Sequence, residues 1–161
     1  MAAPSFHDFN EITRRRYEYA LGVDTCDWVL YRSIFADEIE MDFSDFSGAP
    51  AAKMPADSWI EAVKPAFTGL DATQHTMTNP IVDVEGDRAT CKMYMQAVHF
   101  LKNDQGDRTF TMGGYYIDKL IKQDDRWLIQ AVKLSVFWNT GNRHIMALAT
   151  EIGTQKLSAK T

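Results

Sequence analysis

Hydrophobic positions in the first third of the chain follow a helical period. Between Phe6 and Val23, apolar residues recur about every 3.6 positions, which predicts a first helix over Phe6–Val23. Asp24 or Thr25 can then cap a second helix. Acidic and apolar residues alternate over Glu38–Phe43, which predicts a short strand. The apolar positions expected in the second helix are Trp28, Val29, Tyr31, Ile34 and Phe35.

A third helix is expected after a loop. Residues Ser44–Pro55 are rich in Gly, Pro and Ala, which predicts irregular structure. Asp57 or Ser58 is the expected helix cap, Gly69 the expected stop, and Pro65 is expected to kink or shorten the helix. The pattern therefore predicts three helices in the N-terminal part of the chain.

The second half of the chain reads as long strands joined by short turns. Long antiparallel neighbours of this kind form a curved meander. Helices followed by such a sheet predict an α+β fold, a cone-shaped barrel in which three helices pack on a strongly curved, mainly antiparallel sheet. The tail over Asn142–Glu151 suits a short helix or a flap. The four expected strands are Ala72–Val84, Ala89–Leu101, Thr109–Lys122 and Trp127–Trp138.

Composition narrows the function classes. A length of 161 residues predicts one domain over 1–161 that can bury a core. The net charge of −5 and the absence of a basic stripe argue against nucleic-acid binding. No stretch approaches the ~20 apolar residues of a membrane span, and the first ten residues do not resemble a secretion signal. We therefore expect a cytoplasmic protein without nucleic-acid or membrane partners.

Four titratable residues stand beside apolar segments: Asp24, His75, His99 and Lys133. Each also has an ordinary structural explanation. A carboxylate at a helix start often caps the helix, a strand histidine often packs in a core, and Lys133 can point to solvent. Taken singly, these residues do not identify an enzyme.

The chemistry available to such residues is proton transfer. No glycine-rich phosphate loop follows a predicted strand, and no His, Cys and Asp cluster has metal-ligand spacing, so we expect neither organic cofactor nor metal. Histidine titrates near neutrality, and a carboxylate on one ring nitrogen fixes its tautomer and raises the basicity of the other. A histidine–carboxylate pair is therefore the expected catalytic unit.

Several short segments together resemble a known family. Asp24-Thr25-Cys26-Asp27-Trp28 resembles its D-x-x-D-W motif, Thr73-Gln74-His75 its T-Q-H segment, and His99 falls at its second active-site histidine. The chain is thus similar to the SnoaL-like branch of the nuclear transport factor 2 superfamily, and most similar to scytalone dehydratase. The last strand also reproduces a W-x5-K-x4-W spacing with Trp127, Lys133 and Trp138.

The resemblance implies a cofactor-independent enzyme, often a homotrimer, in which Asp24 orients His75 and His75 removes a proton beside a leaving group. The sequence departs from scytalone dehydratase where that family has two tyrosines, since Val23 and Met41 stand at those positions. Either departure puts dehydration of scytalone itself in doubt. Tyr19 and Tyr116 can replace the missing phenols, or can be simple packing residues.

Together, these expectations predict that the protein is a lyase acting on a small hydroxylated, aromatic molecule. His75 would be the base, and His99, Tyr116 or Lys133 would donate to the oxygen that gains charge. The leaving fragment would be water, or an aldehyde such as formaldehyde after a retro-aldol-like cleavage. An isomerase or polyketide cyclase of the same fold, or a non-catalytic binding module, is the alternative. The expected substrate contacts are Trp28, Met41, Phe43, Phe67, Met77, Asn79, Met95 and Trp138.

Overall fold

The computed structural model describes residues 4–159 and contains five helices and six strands. The helices are α1 (Phe6–Thr25), α2 (Trp28–Ser33), α3 (Ser44–Ser47), α4 (Ala56–Gly69) and α5 (Ile145–Ser158). The strands are β1 (Phe35–Asp42), β2 (Ala52–Pro55), β3 (Ala72–Glu85), β4 (Arg88–Phe100), β5 (Thr109–Gln123) and β6 (Arg126–Gly141).

All six strands form one sheet in the order β2-β1-β6-β5-β4-β3. Consecutive strands from β3 to β6 pair antiparallel, as does β1 with β2, whereas β1 and β6 run parallel. The predicted α+β class, with helices on a curved, mainly antiparallel sheet, is confirmed. The sheet is not closed, however, so it forms an open, curved layer and not a complete barrel.

Irregular pairing marks the places where the sheet bends. The register shifts between Thr78 and Ile81 in β3, and between Gly113 and Gly114 in β5. Such bulges bend a strand and increase its twist. Asn79 lies inside the first bulge with a φ of 57°, the left-handed conformation that asparagine tolerates better than most residues.

The helices cover the inner face of this sheet. Helix α1 packs against β3 and β6, and α4 packs against both β1 and α5. Two glycines allow α4 and α5 to come close, because a Cβ at Gly69 would overlap the carbonyl of Ala149 and one at Gly153 would overlap that of Pro65. Helix α5 is thereby packed closely against α4.

Two sequence-based expectations need correction. Helix α1 continues through Asp24 to Thr25, and the side chain that caps α2 is Asp27, which accepts the Leu30 N–H at 2.9 Å. The segment predicted as a loop, Ser44–Pro55, contains α3 and the edge strand β2. Of the two alternatives for the tail, the helix is confirmed, as α5. No helix within residues 4–159 is long and apolar enough to cross a membrane.

Candidate active site

A cavity of about 300 Å³ lies between the helices and the concave face of the sheet. Most of its wall is apolar, and the polar groups are concentrated in a few side chains, chiefly two histidines and two tyrosines. The lining residues are Tyr19, Phe43, Phe46, Ser47, Trp59, Ala62, Val63, Ala66, Phe67, His75, Met95, Ala97, His99, Met112, Tyr116, Leu134 and Met146.

One stripe of α4 forms the helical side of the cavity. The lining positions on this helix are spaced i, i+3, i+4, i+7 and i+8, which places them on a single helical face. Opposite them, alternate residues of β4 line the cavity because side chains of a strand alternate between its two faces. The α4 residues are Trp59, Ala62, Val63, Ala66 and Phe67, and those of β4 are Met95, Ala97 and His99.

Asp24 and His75 form a pair in the cavity wall. One carboxylate oxygen of Asp24 lies 2.7 Å from Nδ1 of His75, and the other accepts the backbone N–H of the same residue at 2.7 Å. The two contacts fix both the position and the ring orientation of His75. Because a carboxylate only accepts, Nδ1 carries the proton and the neutral ring keeps its lone pair on Nε2. The side chain of His75 is only 4% exposed, so this lone pair lies in a nearly dry site.

His99 is the second imidazole of the cavity wall, 5.7 Å from His75 between ring centroids. Its Nδ1 donates to the carbonyl oxygen of Phe110 at 3.2 Å, so its Nε2 also carries a lone pair. Burial, reinforced by the neighbouring His75, lowers the pKa of His99 to about 4. At neutral pH, Nε2 of His99 is therefore suited to accept a hydrogen bond from a ligand. The sequence analysis had expected His99 to donate one, and this expectation is corrected.

The lowered pKa of His99 predicts a loss of stability in mild acid. An unfolded histidine binds a proton near its usual pKa of 6.5, whereas folded His99 does so only near 4. The native state is therefore stabilised relative to the unfolded state above pH 6.5, and this contribution is lost as pH falls toward 4. In urea unfolding at several pH values, His99→Asn is expected to lose less stability over this window than the wild type, by at most ~3 kcal/mol.

His144→Asn, which removes an exposed histidine, is the matched control and should keep the wild-type pH dependence. An unchanged pH dependence in His99→Asn would show that the neutral, buried state of His99 is not maintained in solution.

Tyr19 and Tyr116 supply phenols to the same cavity. Their rings are 5.6 Å apart, and the Tyr19 ring is 6.5 Å from that of His75. The buried Arg16 guanidinium lies 4.2 Å from the ring of Tyr19 and 4.0 Å from that of Tyr116. Arg16 is paired in turn with Asp118, through its Nε at 2.9 Å and through Nη2. The phenols are thus backed by a buried ion pair.

The structure therefore brings together most of the predicted catalytic residues: Asp24 contacts His75, and the cavity wall contains His75, His99, Tyr19 and Tyr116. Of the predicted substrate contacts, Phe43, Phe67 and Met95 line the cavity.

Lys133 is not among the cavity residues. Its side chain is half exposed, and its ammonium donates to Asp42 at 2.8 Å on the outer face of the sheet. Leu134, the next residue, lines the cavity, so strand alternation directs Lys133 away from it. This ion pair lowers the pKa of Asp42 to about 2 and raises that of Lys133. The expected role of Lys133 as a proton donor is corrected accordingly.

Five of the expected substrate contacts lie elsewhere. Met41 is buried in the core, Met77 is half-buried beyond His75 on β3, and Trp28 packs its ring 6.0 Å from Tyr31. Asn79 is exposed in the bulge of β3, and Trp138 lies over Gly113 on the outer face with nearly half its surface exposed. For Asn79 and Trp138, a β-bulge moves the side chain away from the face of the sheet that regular strand alternation would give it.

Several residues that shape the site were missed by sequence reasoning. Tyr31 was predicted only as a helix residue, and Arg16 and Asp118 were not identified, although all three are buried beside the cavity. The helical spacing of Trp59, Ala62, Val63, Ala66 and Phe67 was the available signal for the α4 wall. Among residues 4–159, no group of three or more His, Cys, Asp and Glu side chains is arranged to hold a metal ion.

Solved structures with this fold include several proteins of related size. The Kfla4162 protein from Kribbella flavida is 26% identical, with a TM-score of 0.83, over 88% of this chain and 97% of that protein. A protein from Novosphingobium aromaticivorans, provisionally assigned as a scytalone dehydratase, is 19% identical, with a TM-score of 0.73, over 85% and 89%. A hexachlorocyclohexane dehydrochlorinase from Novosphingobium barchaimii is 16% identical, with a TM-score of 0.69, over 85% and 91%. The last two similarities show the fold alone.

Comparison with curated proteins finds no match. The family described as SnoaL-like domain matches residues 4–133, which include α1, the Asp24–His75 pair and all the strands up to the middle of β6. With the sheet order and the cavity, this match establishes that the chain belongs to the SnoaL-like family within the nuclear transport factor 2-like superfamily.

Proposed function

We propose that the protein is a cofactor-independent lyase that acts on a small hydroxylated, aromatic molecule. The observation that carries the proposal is the double contact of Asp24 with His75, which holds the imidazole in one tautomer and leaves Nε2 as a base in an apolar cavity. Dehydratases, isomerases and dehydrochlorinases occur in the SnoaL-like family, which is consistent with proton abstraction at such a site.

In the dehydration reaction, Nε2 of His75 takes a proton from a carbon of the substrate. The C–H electrons form a carbon–carbon double bond, and hydroxide leaves the neighbouring carbon and receives a proton to become water. Asp24 stabilises the imidazolium that forms, as a carboxylate does in other histidine pairs. A phenol of the cavity wall, Tyr19 or Tyr116, donates to a substrate oxygen that gains charge.

The same residues can support a retro-aldol-like cleavage. His75 then removes the proton of a substrate hydroxyl, and the C–O bond becomes a carbonyl as the adjacent C–C bond breaks. The electrons of that bond pass to a conjugated oxygen held by the phenol donors. The products are an aldehyde, such as formaldehyde, and the shortened substrate after it regains a proton.

The cavity wall supports a compact, uncharged substrate with a hydroxyl group. Its volume of about 300 Å³ is at the small end of ligand sites. Aromatic residues Phe43, Trp59 and Phe67 can pack against a ring. The lone pair of His99 can accept the hydrogen of a substrate hydroxyl, which supports a hydroxylated molecule.

The proposal is tested by incubating the protein with hydroxylated mono- and diaryl compounds and measuring new conjugated absorbance, released aldehyde and product mass. We expect a product that has lost water or an aldehyde, and His75→Ala should make it at least about 10²-fold more slowly. A product of unchanged mass that also requires His75 would identify the alternative isomerase or cyclase. Equal rates of absorbance change and aldehyde release in the wild type and His75→Ala across the screen would contradict a catalytic role for His75.

We further propose that the protein assembles as a homotrimer. Exposed apolar side chains on the strands, Ile81, Tyr94, Phe137 and Trp138, are the candidates for subunit contacts.

A further inference from the structure

The cavity reaches solvent between α3 and α4. Among its lining residues, Ser47 of α3 and Ala62 of α4 are exposed, whereas the others are buried or half-buried. Phe43, which caps α3, and Phe46, within it, line the same cavity. The short helix α3 therefore forms one edge of the mouth, and a ligand that enters the cavity must pass beside it.

Polar contacts fasten α3 on the side away from α4. The guanidinium of Arg143, in the segment between β6 and α5, donates through Nη2 to the carbonyl oxygen of Phe46 and lies 4.7 Å from the centre of the Phe46 ring. Asp45 accepts the backbone N–H of Val136 at 3.2 Å. These contacts hold α3 to the end of β6 and to the segment that follows it.

The two partners in this fastening are not equally fixed. The segment that carries Arg143 is anchored, because Nδ2 of Asn142 donates to the carbonyl oxygens of Gln105 and Asp107, both at 3.2 Å. Helix α3 has only four residues and ends at Gly48, which has a φ of 76° and open space where a Cβ would lie. A glycine in open surroundings can absorb the change in backbone angles that a hinge requires.

From these contacts we infer that α3 is a gate over the cavity and that Arg143 is its latch. When the contact between Arg143 and Phe46 breaks, α3 can move aside and the mouth widens; when the contact forms again, the cavity is closed. Entry and exit of a ligand both require the open state, so the latch controls the rates of exchange more than the affinity. The inference goes beyond the proposed function, because a gate would serve a binding protein as well as a lyase.

The gate is tested by the kinetics of ligand exchange. The probe is 4-nitrobenzyl alcohol, a small, uncharged aromatic alcohol whose nitro group quenches the fluorescence of Trp59 in the cavity wall. Arg143→Met keeps an apolar stem but removes the donor. In stopped-flow fluorescence it should raise both the association and the dissociation rate constants about threefold to tenfold, while Kd changes by less than about twofold.

Two further variants serve as controls for Arg143→Met. Arg143→Lys keeps a charged donor and should give rate constants between those of the wild type and Arg143→Met. Arg126→Met removes an exposed arginine at the opposite end of β6 and should leave both rate constants unchanged. Faster dissociation with unchanged association in Arg143→Met would overturn the gate, because it would show that Arg143 only strengthens binding. Unchanged rate constants would overturn it as well.

Amide hydrogen exchange tests the same motion without a ligand. Because the N–H of Val136 donates to Asp45 when α3 is closed, Arg143→Met should speed its exchange about threefold to tenfold. The amide of Val132, a buried residue in the middle of the same strand, should exchange as in the wild type. An unchanged exchange rate at Val136 would overturn the latch, even if the probe does not bind. If the gate is found while the activity screen yields no product, the lyase proposal fails alone.

Discussion

Replacing Asp24 with asparagine is expected to lower kcat/KM of the proposed reaction by about 10²–10⁴-fold. In the wild type, the carboxylate accepts from Nδ1 of His75 at 2.7 Å and so leaves Nε2 unprotonated. The asparagine amide can donate to Nδ1 instead, which moves the proton to Nε2 and removes the base from the cavity. It also loses the negative charge that stabilises the imidazolium.

The change in His75 can be measured before a substrate is known. Nitrogen NMR of the imidazole should report a protonated Nδ1 in the wild type and a protonated Nε2 in Asp24→Asn. Asp27→Asn, three residues along and exposed, serves as the control, because asparagine can still cap α2 and the substitution does not touch His75. An Asp24→Asn protein with the wild-type tautomer and wild-type kcat/KM would remove the basis of the proposed mechanism.

The sequence was sufficient to predict five of the six strands, all but the edge strand β2, and the central pair of the site. Long alternating strands and a periodic α4 are local patterns, and a single sequence records them directly. The pairing of Asp24 with His75 came from the resemblance, since the two residues are 51 positions apart and no local pattern connects them.

For Lys133, the local pattern favoured the solvent-facing alternative over the catalytic role that the resemblance suggested. Val132 and Leu134 on either side are both buried and apolar, so alternation alone favours an exposed lysine between them. Trp138 shows the opposite situation. Counting by twos from Leu134 directs it to the cavity, but the register shift opposite Gly113 and Gly114 moves it to the outer face. A one-residue bulge leaves little trace in composition.

The contact between Arg16 and Asp118 joins residues 102 positions apart, and nothing in either local segment indicates it. Arg16 stands in the run Arg14-Arg15-Arg16, which reads as a solvated helix face. Only the tertiary packing of α1 against the sheet buries the third arginine while the first remains two-thirds exposed.

This burial predicts a large effect of Arg16 on stability. Arg16→Met leaves the carboxylate of Asp118 buried without its partner and is expected to lower the free energy of unfolding by about 3–5 kcal/mol in urea denaturation. Arg14→Met, which removes an exposed i,i+4 pair with Glu18 from the same helix, should cost less than about 1 kcal/mol. A cost for Arg16→Met no greater than that of Arg14→Met would show that the buried pair is not formed in solution.

The pH dependence of the stability deficit in Arg16→Met identifies the cause of that deficit. Burial already raises the pKa of Asp118, and Arg16 opposes this effect. Without Arg16, the folded state favours the neutral carboxyl, so Asp118 contributes stability at low pH that is lost as pH rises through its raised folded pKa. The deficit of Arg16→Met should therefore shrink in acid, whereas a deficit caused by lost packing alone would not.

The double variant Arg16→Met/Asp118→Leu tests whether the buried ion pair mainly stabilises the fold or mainly supports the active site. Because it leaves no buried charge unpaired, it should recover much of the stability lost in Arg16→Met, and the two substitutions should be strongly non-additive. The same protein lacks the cation behind Tyr19 and Tyr116. If it folds well but has a lower kcat/KM in the proposed reaction than the wild type, then the ion pair serves the site more than the fold. An unchanged kcat/KM would instead assign the pair to packing.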